Sequence, residues 1–335
     1  MGLKKIIFLN LLLVLILIAA CSPNIGQIGD KSISYNDFIS SLQKYEPKYF
    51  GKKRAWIEKQ IYDWKRLKSA LIDYYNNEVV WKELQEKDFS KSINKKKINL
   101  FYLGNLGEFT KILFKQSNEK INLQNLKNKT NIIFNKSEFE KNLFETTKSN
   151  SKENQTSNIL IIENDLILSM KEIKDFFPKK KGLELKDFIE NNLLPNLYAA
   201  LEGKRLKYNN KLMFKELWKV KWRNYLIYLY ENEIRTRITI KIINSNEKKL
   251  KDYYDKNKNQ FTMIKPKTKN KNDSEREKYQ FSYNQVRDDV AKLFVDKKIT
   301  QWKNDLWKKY KFSINDKYFK SLEDEELAKL HKTTN

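Results

Sequence analysis

Few residues in this chain could do covalent or metal chemistry. It contains one cysteine, Cys21, and one histidine, His331. A lone cysteine excludes an internal disulfide, and a lone histidine leaves neither a Cys/His metal cluster nor a base for a His-dependent triad. We therefore expect no metal site and no cofactor, and no phosphate-cradling Gly loop or zinc-protease helix motif is present. Acidic pairs such as Asp288-Asp289, or Glu231 with Glu233, are expected to solvate helix faces, because adjacent residues on a helix point apart. What the residues offer instead is adhesive chemistry. The 7 Trp, 18 Tyr and 19 Phe exceed what a core alone calls for. Trp56, Trp64 and Trp81 fall on one predicted helix, Trp218 and Trp222 on a second, and Trp302 and Trp307 on the last. Most should be core. The sharper expectation is that some of Trp56, Trp64, Trp218, Trp222 and Trp302 line an apolar cleft for extended chains, with Lys and Arg on its rim.

The length of 335 residues allows one large or two modest domains. With 8 Gly and 5 Pro against 40% hydrophobic residues, the chain should fold as a mainly α protein with a few short strands. The net charge of +25 favours acidic partners: anionic lipid, acidic polymers or acidic unfolded chains. Nucleic acid is set aside as a partner because the chain opens with an export signal. Lys4 and Lys5 precede an apolar run, Ile6–Ala20, which ends in Leu17-Ile-Ala-Ala-Cys21. Cys21 after Ile-Ala-Ala resembles a bacterial lipobox. That resemblance implies cleavage before Cys21, acylation of its thiol and amine, and firm anchoring by several acyl chains. The tether that follows, residues 21–29, is short, which points to work close to a membrane and to a periplasm-facing rather than a cell-surface position.

The elements that must position the aromatics can be read in order. Ile28–Ile33 suits a strand and turn, and Ser34 with Asp37 forms a capping box opening a helix to about Tyr45. A long helix is predicted from Lys52 to Lys87. Residues 30–135 form an N-terminal helical lobe and 136–157 a polar linker. Residues 158–245 form a second helical segment, whose opening, residues 162–173, repeats the pattern of 27–38, with Ser169 and Glu172 as a second capping box. Within it, Arg235–Ile243 alternates and is predicted as a strand. Residues 246–320 complete the frame with helices and an edge strand, Phe312–Asn315, and 321–335 is a polar tail. In the final long helix Val286, Val290, Phe294, Trp302 and Leu306 recur at helical spacing.

Two stretches carry a family resemblance. Leu250-Lys-Asp-Tyr-Tyr-Asp-Lys-Asn-Lys-Asn-Gln-Phe261, and the helix and strand from Tyr283 to Asn315, resemble the segments that flank the parvulin domain in the SurA/PrsA family of exported foldases. Leu71–Phe89 resembles that family's N-domain helix, although without its glycine. The family's N- and C-terminal segments form one chaperone module, so the resemblance implies that residues 30–90 and 247–318 meet. The polar insert Thr262–Tyr279 is far too short for an isomerase domain, so peptidyl-prolyl isomerase activity is the least favoured reading. The implied function is a membrane-anchored chaperone, not an enzyme, binding unfolded exported or outer-membrane polypeptides through an apolar cleft. The alternative is a basic adhesin or structural lipoprotein that binds an acidic polymer or host ligand.

Overall fold

The computed structural model describes residues 22–118, 122–143, 158–163, 165–245, 247–264 and 278–333. The predicted signal segment 1–20, Cys21 and the stretch 144–157 lie outside the described residues. The chain runs β1 (Asn24–Ile28), β2 (Lys31–Ser34), α1 (Tyr35–Tyr45), α2 (Arg54–Gln60), α3 (Trp64–Glu86), α4 (Lys95–Gln116), α5 (Leu123–Lys129), β3 (Ile132–Phe134) and α6 (Lys136–Leu143). It continues with β4 (Asn158–Ile162), β5 (Leu166–Ser169), α7 (Met170–Phe176), α8 (Gly182–Phe188), a π-helical turn (Ile189–Leu193), α9 (Leu194–Arg205) and α10 (Leu212–Ser245). It ends with α11 (Glu247–Lys256), β6 (Thr262–Ile264), β7 (Lys278–Gln280), α12 (Tyr283–Lys309), β8 (Phe312–Ile314) and α13 (Asp316–Thr333). The protein is mainly α. No described helix is long and apolar enough to cross a membrane.

The chain forms two compact units. Unit 1 takes the residues up to Asp88 and those from Arg223 onward, and unit 2 is the continuous stretch Phe89–Trp222. These boundaries differ from the division at 136–157 and 245/246 expected from composition: the elements on both sides of 144–157 belong to unit 2, and the second boundary falls inside α10, between Trp222 and Arg223.

In unit 1, β1 is the central strand of the sheet β2-β1-β8, with Gly26 opposite Ile314 and Ile28 opposite Phe312. This corrects the expected tether: residues 24–28 are core sheet, and Ile25 is fully buried. Tyr75 on α3 packs edge-on against Trp307 at 5.5 Å and Phe312 at 5.1 Å, so the two ends of the chain share one core. Lys309 reaches Glu83 and Glu86, both at 2.7 Å. Arg223 pairs with Glu78 at 2.6 Å and lies over the rings of Tyr45 and Trp81, which holds α10 to α1 and α3.

Burial opposes ionisation of Glu83. Hydrogen bonds from Lys309, Lys87 and Tyr310 overcome that and hold its carboxyl down at about 2, against an ordinary 4.5. A carboxylate lowered in the folded state stabilises above its ordinary value, and that contribution is lost as pH falls toward 2. The stability gap between the wild-type protein and Glu83→Gln is therefore expected to be constant above about pH 4.5 and to shrink on acidification. Urea unfolding at a series of pH values checks this.

The predicted helix 52–87 is two helices. The first ends at Gln60, and Asp63 caps the second, its Oδ1 accepting from the Arg66 N–H at 2.8 Å. Asp63→Ala should cost about 1 kcal/mol and Asp63→Ser much less, read as shifts in the urea midpoint. The predicted strand 235–243 is also helical. Alternating Ile238, Ile240 and Ile242 fits both periods, but Ile234, Ile238 and Ile242 form one i,i+4 face against the core. The Thr236 and Thr239 hydroxyls donate back to the Asn232 and Arg235 carbonyls at 2.8 Å, and Ile240 is left exposed.

Unit 2 packs the sheet β3-β4-β5 against the crossed pair α4 and α9. The helices approach closely at two glycines: a Cβ on Gly107 would lie 2.0 Å from the Asn196 carbonyl oxygen, and one on Gly203 2.1 Å from the Thr110 hydroxyl. The expected linker 136–157 is corrected in its first part, since residues 136–143 form α6 and Phe139 is fully buried.

The two units repeat one design. In each, a hairpin ends in a capping-box serine, Ser34 with Asp37 and Ser169 with Glu172. Both hairpins carry a register shift at the same place, between Asn24 and Gly26 and between Asn158 and Leu160. A third strand adds antiparallel to the first hairpin strand: β8 on β1, β3 on β4. After it an asparagine donates its N–H to the neighbouring strand, Asn315 to Ile25 at 3.1 Å and Asn135 to Ile159 at 2.9 Å. Each asparagine then caps the next helix, accepting from the N–H three residues on. Four residues after each asparagine stands a buried phenylalanine, Phe319 or Phe139. Within this shared part the chain order differs. The helix–strand–asparagine part comes last in unit 1 and first in unit 2.

Candidate functional site

Within unit 1, α10, α11 and α12 surround a cavity of about 470 Å³. Its floor is Ile238, Ile242, Phe294 and Trp302, and its rim carries Lys241, Lys249, Lys298 and Asp305. The floor follows from helical spacing. Ile238 and Ile242 are one turn apart on α10, while Phe294 and Trp302 lie eight residues apart on α12 and so share a face. Trp302 is held edge-on by Tyr230 at 6.0 Å and Phe294 by Tyr253 at 5.3 Å. Lys303 pairs with Glu231 at 2.6 Å, and Arg235 pairs with Asp296, which ties α12 to α10. Lys298 lies 5.7 Å over the Phe294 ring. The result is a fixed apolar floor with three ammonium groups and one carboxylate above it. Such a surface takes apolar side chains from a segment that also carries negative charge.

Of the five predicted client-binding tryptophans, three fall at different places in unit 1 and two in unit 2. Trp302 lines this cavity. Trp56 on α2 is 40% exposed and packs on Tyr49. Trp64, the first residue of α3, lines a different concavity of unit 1. Trp218 and Trp222 belong to unit 2, where they stack at 5.6 Å and pack against Phe101. Sequence reasoning missed Ile238 and Ile242, because the alternating pattern assigned them to a strand. The i,i+4 spacing of Ile234, Ile238 and Ile242 was the available signal. Cys21, the predicted lipidation site, lies outside the described residues. Among the described residues no group of His, Cys, Asp or Glu is arranged to hold a metal ion.

Comparison of the chain with family models, curated proteins and solved structures returns no match.

Proposed function

We propose that this protein is a holding chaperone of the cell envelope, anchored through lipid on Cys21 and without catalysis of its own. It takes extended segments that combine apolar or aromatic side chains with carboxylates, as unfolded exported polypeptides do. The observation that carries this reading is the cavity of α10, α11 and α12, where an apolar floor stays open under a lysine rim. The resemblance of residues 71–89 and 250–315 to exported foldases supports it, as does the meeting of the chain's two ends in one core.

The test is suppression of aggregation of a chemically denatured client. The wild-type protein in stoichiometric excess is expected to keep the client soluble. Phe294→Ala/Trp302→Ala should weaken client binding about tenfold, as loss of a buried aromatic anchor does. Lys249→Glu/Lys298→Glu changes exposed positions only and should lose acidic clients while keeping the fold, checked by circular dichroism. Equal protection by wild type and both variants would remove this cavity as the client site. No protection by the wild type would remove the chaperone reading.

A further inference from the structure

A second concavity of unit 1, about 440 Å³, opens where α13 passes the start of α3. Its walls are aromatic: Tyr35, Tyr62, Trp64 and Tyr318. The remaining polar lining is carboxylate, Glu58, Asp63, Glu325 and Glu326, and no Lys or Arg lines it. Of the cations beside it, Arg54 pairs with Glu58 at 2.8 Å, and Arg66 pairs with Asp63 at 3.3 Å and lies 4.7 Å over the Tyr62 ring, which leaves Glu325 and Glu326 to meet a ligand cation. In a chain of net charge +25, this is an inversion of the general surface. Aromatic faces beside carboxylates select an organic cation, and ammonium groups are the usual occupant of such cages.

The position of the cavity narrows the source of that cation. The Tyr35 N–H donates to the Pro23 carbonyl at 2.9 Å, and the Asn36 N–H to the Ser22 hydroxyl at 3.1 Å. Ser22 directly follows Cys21, and residues 24–28 are sheet rather than tether. One wall of the cavity is therefore fixed to the residues next to the proposed anchor. We propose that the cavity binds the ammonium group of a zwitterionic phospholipid headgroup in the membrane that holds the anchor. This rests on the lipid-anchor reading above. Lys65, whose ammonium lies 5.5 Å over the Trp64 ring, stands beside the aromatic wall to meet the headgroup phosphate.

The full chain in nonionic detergent is titrated with phosphocholine and phosphoethanolamine, with glycerol phosphate as the control, and tryptophan fluorescence is followed. The expected result is a saturable change with the two ammonium compounds only. It should be absent in Trp64→Phe and shifted about tenfold to higher concentration in Glu325→Gln/Glu326→Gln, both of which change a cavity wall without touching the core. No saturable change, or an unshifted curve in the carboxylate variant, overturns the proposal. Tighter binding of a lysine peptide than of either headgroup compound overturns it in favour of a peptide site. The acylation state of Cys21, read by mass spectrometry, separates the two readings. Acylated protein without headgroup binding removes the cavity proposal alone. Headgroup binding by unacylated protein removes the anchor and leaves the ammonium site standing.

Discussion

Truncating Phe319 to alanine is expected to destabilise unit 1 by about 3–5 kcal/mol, the usual range for removing a fully enclosed aromatic ring. Phe319 is 2% exposed and stands in the first turn of α13, four residues beyond the Asn315 cap. Its loss leaves a cavity between α13 and the sheet and loosens the element that walls the aromatic–carboxylate concavity. The same substitution at Phe139, 0% exposed and four residues beyond Asn135, should cost unit 2 a similar amount. Hydrogen exchange resolved along the sequence checks both. Protection should fall in residues 22–88 and 223–333 for the first variant and in 89–222 for the second. A uniform loss in either case would mean that the two units unfold as one.

Gly107→Ala is expected to destabilise unit 2 by about 2 kcal/mol net, measured by denaturant unfolding, even though alanine improves an isolated helix by about 1 kcal/mol. The added methyl would sit 2.0 Å from the Asn196 carbonyl oxygen. That oxygen is backbone and cannot turn aside, so α4 and α9 must separate along a buried seam that includes Leu103, Leu106, Leu197 and Ala200. Overpacking of this kind costs roughly 1–3 kcal/mol, sometimes more, and here it outweighs the propensity gain. A Cβ on Gly104, on the same helix, would meet nothing within 4 Å. Gly104→Ala should therefore be neutral or stabilising, which makes it the internal control.

Much of the local structure was legible. Both capping boxes stood out because a serine followed three residues later by an acid, ahead of an apolar run, has a single economical geometry. The last long helix was legible because it is periodic over many residues, and the edge strand Phe312–Ile314 because it alternates. Three of the readings that failed did so where one pattern has two solutions. Arg235–Ile243 satisfies both helix and strand periods, and the choice fell to the helix already running from Leu212. Ile61 to Asp63 looks like helix interior until the Asp63 side chain turns to cap α3. Residues 21–29 read as tether, with Pro23, Gly26 and Gly29 suggesting loop, yet Gly26 is where β1 is crowded by the Tyr75 hydroxyl and the Ser313 carbonyl, which only glycine tolerates. The cavity floor was hidden for a simpler reason: its residues come from segments some 50 positions apart, and no local pattern joins them. The match between Asn135 with Phe139 and Asn315 with Phe319 could have been found by spacing alone, but short polar–apolar pairs of that kind recur by chance.

The exchanged order of parts in the two units also fixes a sequence of events at synthesis. A chain emerges from its N-terminus, so everything unit 2 needs has appeared by Trp222. Strand β1 is made before any of unit 2, yet its partner β8 arrives nearly three hundred residues after it. Until then one whole edge of β1 offers unpaired backbone groups to any passing strand. Early folding of residues 89–222 eases the final step, because a folded insert shortens the flexible chain that must be closed to bring Gly26 to Ile314. Loss of unit 2 stability should thus delay the completion of unit 1, and a protein proposed to shelter unfolded chains would itself spend longest in need of shelter at its first strand.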